Sequence, residues 1–96
     1  MNYAAAKSGI HGFTKALAQE GARFGITVNA VAPGYVDTDM VRAVPADVLQ
    51  KIVARIPVGR LGKAEDIARG VVFLTAEEAS FVTGSTLSIN GGQHMY

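Results

Sequence analysis

Apolar positions at Ile10, Phe13, Leu17, Gly21 and Phe24 recur in steps of three and four, which predicts a helix over 3–24 with one buried face. Ala4, Ala5, Ala6, Gly9, Gly12 and Ala16 keep the early surface of that helix small, suited to close approach by another helix or a cofactor. Gly9 and Gly12 each cost about 1 kcal/mol relative to alanine in a helix interior. Asn2 suits the N-cap, and Gly25 suits the left-handed residue that stops the helix. The run I-T-V-N-A-V-A that follows is β-branched and uncharged, so it predicts a short buried strand ending at the turn formers Pro33-Gly34. Residues 35–44 read as a loop with room for one helical turn. Val48, Leu49, Ile52, Val53 and Ile56 return to helical spacing, with Pro45 suited to the first turn and Pro57 closing the helix. R-L-G-K is a linker. Glu65 and Asp66 favour the first turn of a further helix, whose stripe is Ile67, Val71 and Leu74, widened by Val72 and Phe73. A loop then leads to the strand T-L-S-I, which ends at Asn90-Gly91-Gly92.

The order is helix, strand, helical excursion, helix, strand. A strand returning to the sheet through a helix makes a βαβ unit, expected to be parallel and right-handed, so the fold class is α/β. A helix that opens at residue 3 with almost nothing ahead of it reads as cut from something longer.

Composition narrows the function classes. Hydrophobic residues make up 49% of the 96 positions and charged residues 18%, values of a packed domain rather than a disordered chain. The net charge of +1 is spread out, without the basic stripe that a nucleic acid or an anionic membrane would need. No apolar run approaches the ~20 residues of a membrane span, and the start has no signal-peptide core. There is no cysteine, hence no disulfide framework and no thiolate ligand or nucleophile. A cytoplasmic protein is the expectation.

Candidate chemistry concentrates at three places. Tyr3 and Lys7 stand four apart and share a helix face. A lysine ammonium beside a phenol favours the phenolate and lowers the tyrosine pKa, which fits proton exchange with a substrate oxygen. The same pair is also compatible with an ordinary exposed helix. Ligands of parallel sheets bind beyond the carboxyl ends of the strands. Those ends are A-P-G-Y-V-D-T-D, which reads equally as a strand-exit turn with Asp37 as a cap, and N-G-G, which permits a left-handed turn and close backbone approach. His11, His94 and the Glu77-Glu78 pair read as structural or solvated, and no metal-ligand spacing, phosphate loop or G-x-G-x-x-G occurs.

Taken in order, Tyr3-x-x-x-Lys7, N-A-V-A-P-G at 29–34, Thr38, E-D-I-A at 65–68 and T-G-S-T-L-S-I-N-G-G at 83–92 resemble the C-terminal half of the short-chain dehydrogenase/reductase family. The resemblance runs the full 96 residues. It implies the C-terminal part of a Rossmann-like, doubly wound parallel sheet, incomplete as given. All of 1–96 would belong to one reductase domain, with 39–57 as a substrate lid. Within the family, P-G-Y-V-D-T-D-M-V and G-G-Q-H-M are similar to acetoacetyl-CoA reductases of polyhydroxybutyrate synthesis, with 3-oxoacyl-acyl-carrier-protein reductases as near neighbours.

The roles that the resemblance implies are these. Tyr3 protonates the ketone oxygen of a 3-oxoacyl thioester, carried on CoA or acyl-carrier protein, as NADPH delivers hydride, and NADH stays open as a cofactor. Lys7 lowers the Tyr3 pKa and binds the nicotinamide ribose. Pro33, Gly34, Val36 and Thr38 line the nicotinamide end, and Tyr35 and Met40 face the substrate. No metal is implied. A homo-oligomer, a tetramer in the family, would form through the first helix and last strand.

The cofactor-phosphate turn and the serine that bonds the substrate carbonyl, both upstream of the tyrosine in the family, are not among these residues. The alternative reading is therefore a non-catalytic assembly module. The expected outcome for the 96-residue chain alone is negligible oxidation of NADPH by acetoacetyl-CoA. Stoichiometric turnover that disappears in Tyr3→Phe would contradict it.

Overall fold

Helix α1 occupies Tyr3–Gly21 and tightens into a 3-10 turn at Ala22–Phe24. It stops where expected, because Gly25 takes the left-handed conformation (φ 71°) and its N–H donates to the Ala22 carbonyl. The computed structural model describes residues 3–94, with side chains from residue 8 onward, so the Asn2 cap lies outside the described residues. Strand β1 (Ala30–Pro33) is followed by α2 (Asp39–Arg42), α3 (Ala46–Ala54), α4 (Ala64–Thr75), a 3-10 turn at Glu77–Ala79 and strand β2 (Thr86–Ile89). Ala30 N–H donates to Ser85 O and Gly34 N–H to Ile89 O; the partners advance together, so the two strands are parallel. The α/β expectation and the T-L-S-I strand are met.

The chain forms two compact units, each assembled from two segments. One holds the residues up to Val31 with Val71–Leu87, and the other Ala32–Gly70 with the residues from Ser88 on.

In the first unit the buried face of α1 differs from the one that spacing predicts. Ile10, Phe13 and Phe24 are 57%, 66% and 69% exposed, whereas Thr14 and Ala18 are buried. Of the expected positions Leu17 and Gly21 are half-buried, so the packed face is turned toward Thr14 and Ala18, whose small side chains let the backbone come close. A Cβ on Gly84 would lie 3.5 Å from the Ala18 Cβ, and one on Gly21 would lie 3.2 Å from the Ile26 Cβ. The buried Thr14 hydroxyl is satisfied by donating to the Ile10 carbonyl at 2.8 Å. On α4, Leu74 is buried as expected, but Val71, Val72 and Phe73 are exposed, so the predicted stripe narrows to Leu74 and half-buried Ile67.

The first strand starts four residues later than predicted. Over 26–29 the backbone bond from Gly84 N–H to Val28 O is joined by side-chain bonds in place of a regular ladder. Val28 N–H donates to the Thr83 hydroxyl, and the Asn29 amide both donates to Val82 O and accepts from Ser85 N–H. Only from Ala30 does backbone pairing become regular.

In the second unit Pro45 is the N-cap of α3 rather than a first-turn residue. Its ψ of 149° is extended, and its carbonyl accepts the first helical bond from Leu49 N–H. Leu49, Ile52 and Val53 are half-buried and Ile56 is buried, as the helical spacing predicts, whereas Val48 at the start of the same stripe is exposed. Gly91, in the left-handed region (φ 65°), lets the chain pass over Ile56, whose Cγ2 would stand 2.8 Å from a Cβ at position 91.

Two glycine substitutions should move stability in opposite directions. Gly9 lies inside α1 with open space around it, so Gly9→Ala is expected to stabilise by about 0.5–1 kcal/mol. Gly91→Ala must move Ile56 and holds a non-glycine residue at positive φ, so a loss of about 1–3 kcal/mol is expected. Urea midpoints of the two variants check both signs.

Candidate functional site

The carboxyl ends of β1 and β2 meet at Gly34 and Asn90. A Cβ on Gly34 would fall 2.6 Å from the Asn90 Cβ and 2.8 Å from its Cα, so only glycine fits. Asn90 is itself held by its own loop: its Oδ1 accepts from Gly92 N–H and its Nδ2 donates to the His94 carbonyl. Beyond Gly34, Val36 forms a parallel bridge with Gly62, in which Gly62 N–H donates to Tyr35 O and Asp37 N–H donates to Gly62 O. In such a bridge the N–H and C=O of Val36 itself point to the side opposite Gly62. One donor and one acceptor on adjacent backbone atoms suit a carboxamide, which offers the complementary pair.

Thr38 caps α2: its hydroxyl oxygen accepts from Val41 N–H at 3.3 Å, which leaves the hydroxyl proton to donate elsewhere. The capping role that the sequence suggested for Asp37 belongs to Thr38. Asp37 instead grips the Arg42 guanidinium through both carboxylate oxygens, closing a bidentate pair around the α2 turn. That hydrogen-bonded guanidinium lowers the Asp37 pKa below the ordinary carboxylate value. Both side chains are well exposed, so the pair shapes the loop more than it stabilises it. Tyr35 is 44% exposed and Met40, in α2, 83% exposed.

At the same strand ends lies a hollow of about 220 Å³, walled by Tyr35, Val58, Arg60, Asp66, Arg69 and Ile89 among others. Arg60 Nη1 donates to Asp66 Oδ2 at 2.9 Å and to the Leu61 carbonyl at 3.0 Å. Asp66 Oδ2 also accepts from Lys63 N–H at 2.8 Å, closing the first turn of α4. That backbone bond, then Arg60 and Arg69, holds the Asp66 carboxyl below its usual value. The R-L-G-K segment is more than the linker expected from its composition, since Arg60 and the Lys63 N–H both engage Asp66. The available signal was Asp66 at the third position of a helix, where a carboxylate turns back to the cap.

The predicted site residues thus fall into two groups. Pro33, Gly34, Tyr35, Val36, Thr38 and Met40 belong to the second unit. Tyr3 and Lys7 open α1 in the first unit, four positions apart on consecutive turns, and their side chains lie outside the described ones. Among the described residues no group of three or more His, Cys, Asp or Glu could hold a metal ion, and no helix is long and apolar enough to cross a membrane.

The amino-acid sequence itself matches a known family. A family model described as enoyl-(acyl carrier protein) reductase covers residues 1–94, and the chain belongs to that family of short-chain dehydrogenases/reductases. The chain is 66% identical to an acetoacetyl-CoA reductase of Shinella zoogloeoides, over 96% of its own length and 39% of that protein's. It is 63% identical to an acetoacetyl-CoA reductase of Rhizobium meliloti (strain 1021), over 98% of this chain and 39% of the relative. Identity to the 3-oxoacyl-[acyl-carrier-protein] reductase FabG of Escherichia coli (strain K12) is 55%, over 98% of this chain and 38% of the relative. The chain therefore spans about two fifths of the length of the curated relatives it matches.

Asp66 sets a pH dependence. Its folded pKa lies below the unfolded value of about 3.9, so its contribution is complete above that value and is lost as pH falls through the folded pKa. Asp66→Asn should therefore be less stable than the parent at neutral pH. The difference should shrink on acidification below about pH 4. Urea titrations at several pH values check both statements.

Proposed function

We propose that these residues are the catalytic portion of a nicotinamide-dependent reductase of 3-oxoacyl thioesters, acetoacetyl-CoA reduced to 3-hydroxybutyryl-CoA, with NADPH as the preferred cofactor. The observation that carries the reading is the 66% and 63% identity to proteins named acetoacetyl-CoA reductase. The i, i+4 register of Tyr3 and Lys7 on α1 supports it.

The bound cofactor's contribution is a hydride for the carbonyl carbon. Tyr3 gives its phenolic proton to the carbonyl oxygen, so the ketone becomes a secondary alcohol and the phenolate is left to be reprotonated from solvent. Lys7 keeps the Tyr3 pKa low enough for that cycle near neutrality and donates to the ribose hydroxyls. Pro33 and Gly34 form the wall of the nicotinamide end. The Val36 backbone pair takes the carboxamide, and the Thr38 hydroxyl proton faces the carboxamide or the pyrophosphate. Tyr35 and Met40 contact the acyl part, and 39–57, built from α2 and α3, closes over it as a lid.

The identity to FabG makes acyl-carrier-protein thioesters the second substrate reading. The apolar side chains that α1 leaves exposed, Ile10 and Phe13, favour assembly of several copies through that helix, in the cytoplasm.

Two measurements test this reading. In the protein as its source makes it, NADPH oxidation by acetoacetyl-CoA is expected, and Tyr3→Phe should lower kcat by about 10²–10⁴ without a matching loss of NADPH affinity. Sedimentation should show species heavier than the 10.0 kDa chain, and a profile of single chains alone would remove the assembly reading.

A further inference from the structure

The hollow at the strand ends has a charge pattern that hydride transfer does not use. Two guanidiniums, Arg60 and Arg69, and one carboxylate, Asp66, stand in its wall, which leaves one positive charge in excess. Arg60 is committed to Asp66 and to the Leu61 carbonyl. Arg69 stands three residues after Asp66 on α4, near enough to be felt by its carboxylate, yet its guanidinium makes no hydrogen bond among the described residues. The forked donors of Arg69 are therefore unspent beside a cavity.

The rest of the wall is mixed. Val58 and Ile89 are aliphatic, and Tyr35 contributes a phenol. At about 220 Å³ the space is below the ~300–1,000 Å³ of pockets that hold drug-sized ligands, so it suits a small molecule or the end of a larger one. A single negative charge neutralises the cluster. A phosphate dianion would instead leave a net negative charge against Asp66, and a bare inorganic ion would leave the aliphatic wall uncovered.

We infer that this hollow binds a short-chain monocarboxylate, its carboxylate held in the Arg69 fork and its alkyl chain laid against Val58 and Ile89. A guanidinium fork meets a carboxylate with two parallel N–H···O bonds, and the Tyr35 hydroxyl is a further donor for the same group. The inference rests on the second unit alone and does not require the reductase reading.

The test is an NMR titration of the full chain with acetate, butyrate and inorganic phosphate at constant ionic strength. Saturable shifts are expected for residues 58–69 and 89–91, with butyrate about tenfold tighter than acetate, the effect of two buried methylenes. Arg69→Gln removes the charge from an exposed position, so the fold is retained, and butyrate affinity should fall at least tenfold. Arg69→Lys, which keeps the charge and loses the fork, should fall between the two. Phosphate binding tighter than butyrate, equal affinity for acetate and butyrate, or an unchanged affinity in Arg69→Gln would each overturn the inference. A failed reductase assay leaves all of these readouts unaffected.

Discussion

The backbone contact between Gly34 and Asn90 is the constraint on which the rest of the candidate site depends. Two parallel strands leave their sheet side by side, and the space between position 34 and Asn90 is too small for even one methyl group. Because the strands end this close, the chain after Gly34 is aimed at Gly62, where the Val36 bridge forms. The chain after Asn90 turns through two left-handed glycines, Gly91 and Gly92, past Ile56 and Pro57. Of the residues proposed for the nicotinamide end, Pro33 closes β1, Gly34 makes this contact, and Val36 and Thr38 follow it in the chain.

Short-range polar contacts then give the loops their shape. Thr38 caps α2 and Asp37 clasps Arg42 across the same turn, while Asp66 closes the first turn of α4 and reaches Arg60. Apart from half-buried Asp66 these groups are exposed to water, where single ion pairs contribute little to stability. Their value is directional: a cap that uses the Thr38 oxygen as acceptor leaves its proton for a ligand. A bridge that engages Tyr35 O and Asp37 N leaves the Val36 backbone facing the other way. The same economy explains why Arg69, the one guanidinium of its cluster without a hydrogen bond among the described residues, carries binding potential.

Much of this was legible along the chain. Helix ends obey local rules, so Gly25 and the acidic first turn of α4 could be placed from residue type alone, whereas the cap of α2 fell to Thr38 rather than its neighbour Asp37. The strand T-L-S-I and the left-handed N-G-G turn were equally readable, since they depend on β-branching and on the freedom of glycine. The Tyr-x-x-x-Lys register needed only helical geometry. The ion pair of Arg60 with Asp66 was not legible, because its partners lie across a turn whose path depends on the Gly62 bridge.

The amino-acid sequence by itself determined the α/β order, the glycine stop of α1 and the family to which the chain belongs, because those rest on local propensity and motif spacing. Only tertiary structure decided which face of α1 is buried. Of the expected stripe, Leu17 and Gly21 are half-buried while Ile10, Phe13 and Phe24 are exposed, and close packing chose the smaller Thr14 and Ala18 beside them. It also decided where β1 begins, since the Asn29 and Thr83 side chains take bonds that a ladder would have made. In each case the deciding atoms come from segments distant in sequence, and no local pattern records how closely two backbones will approach.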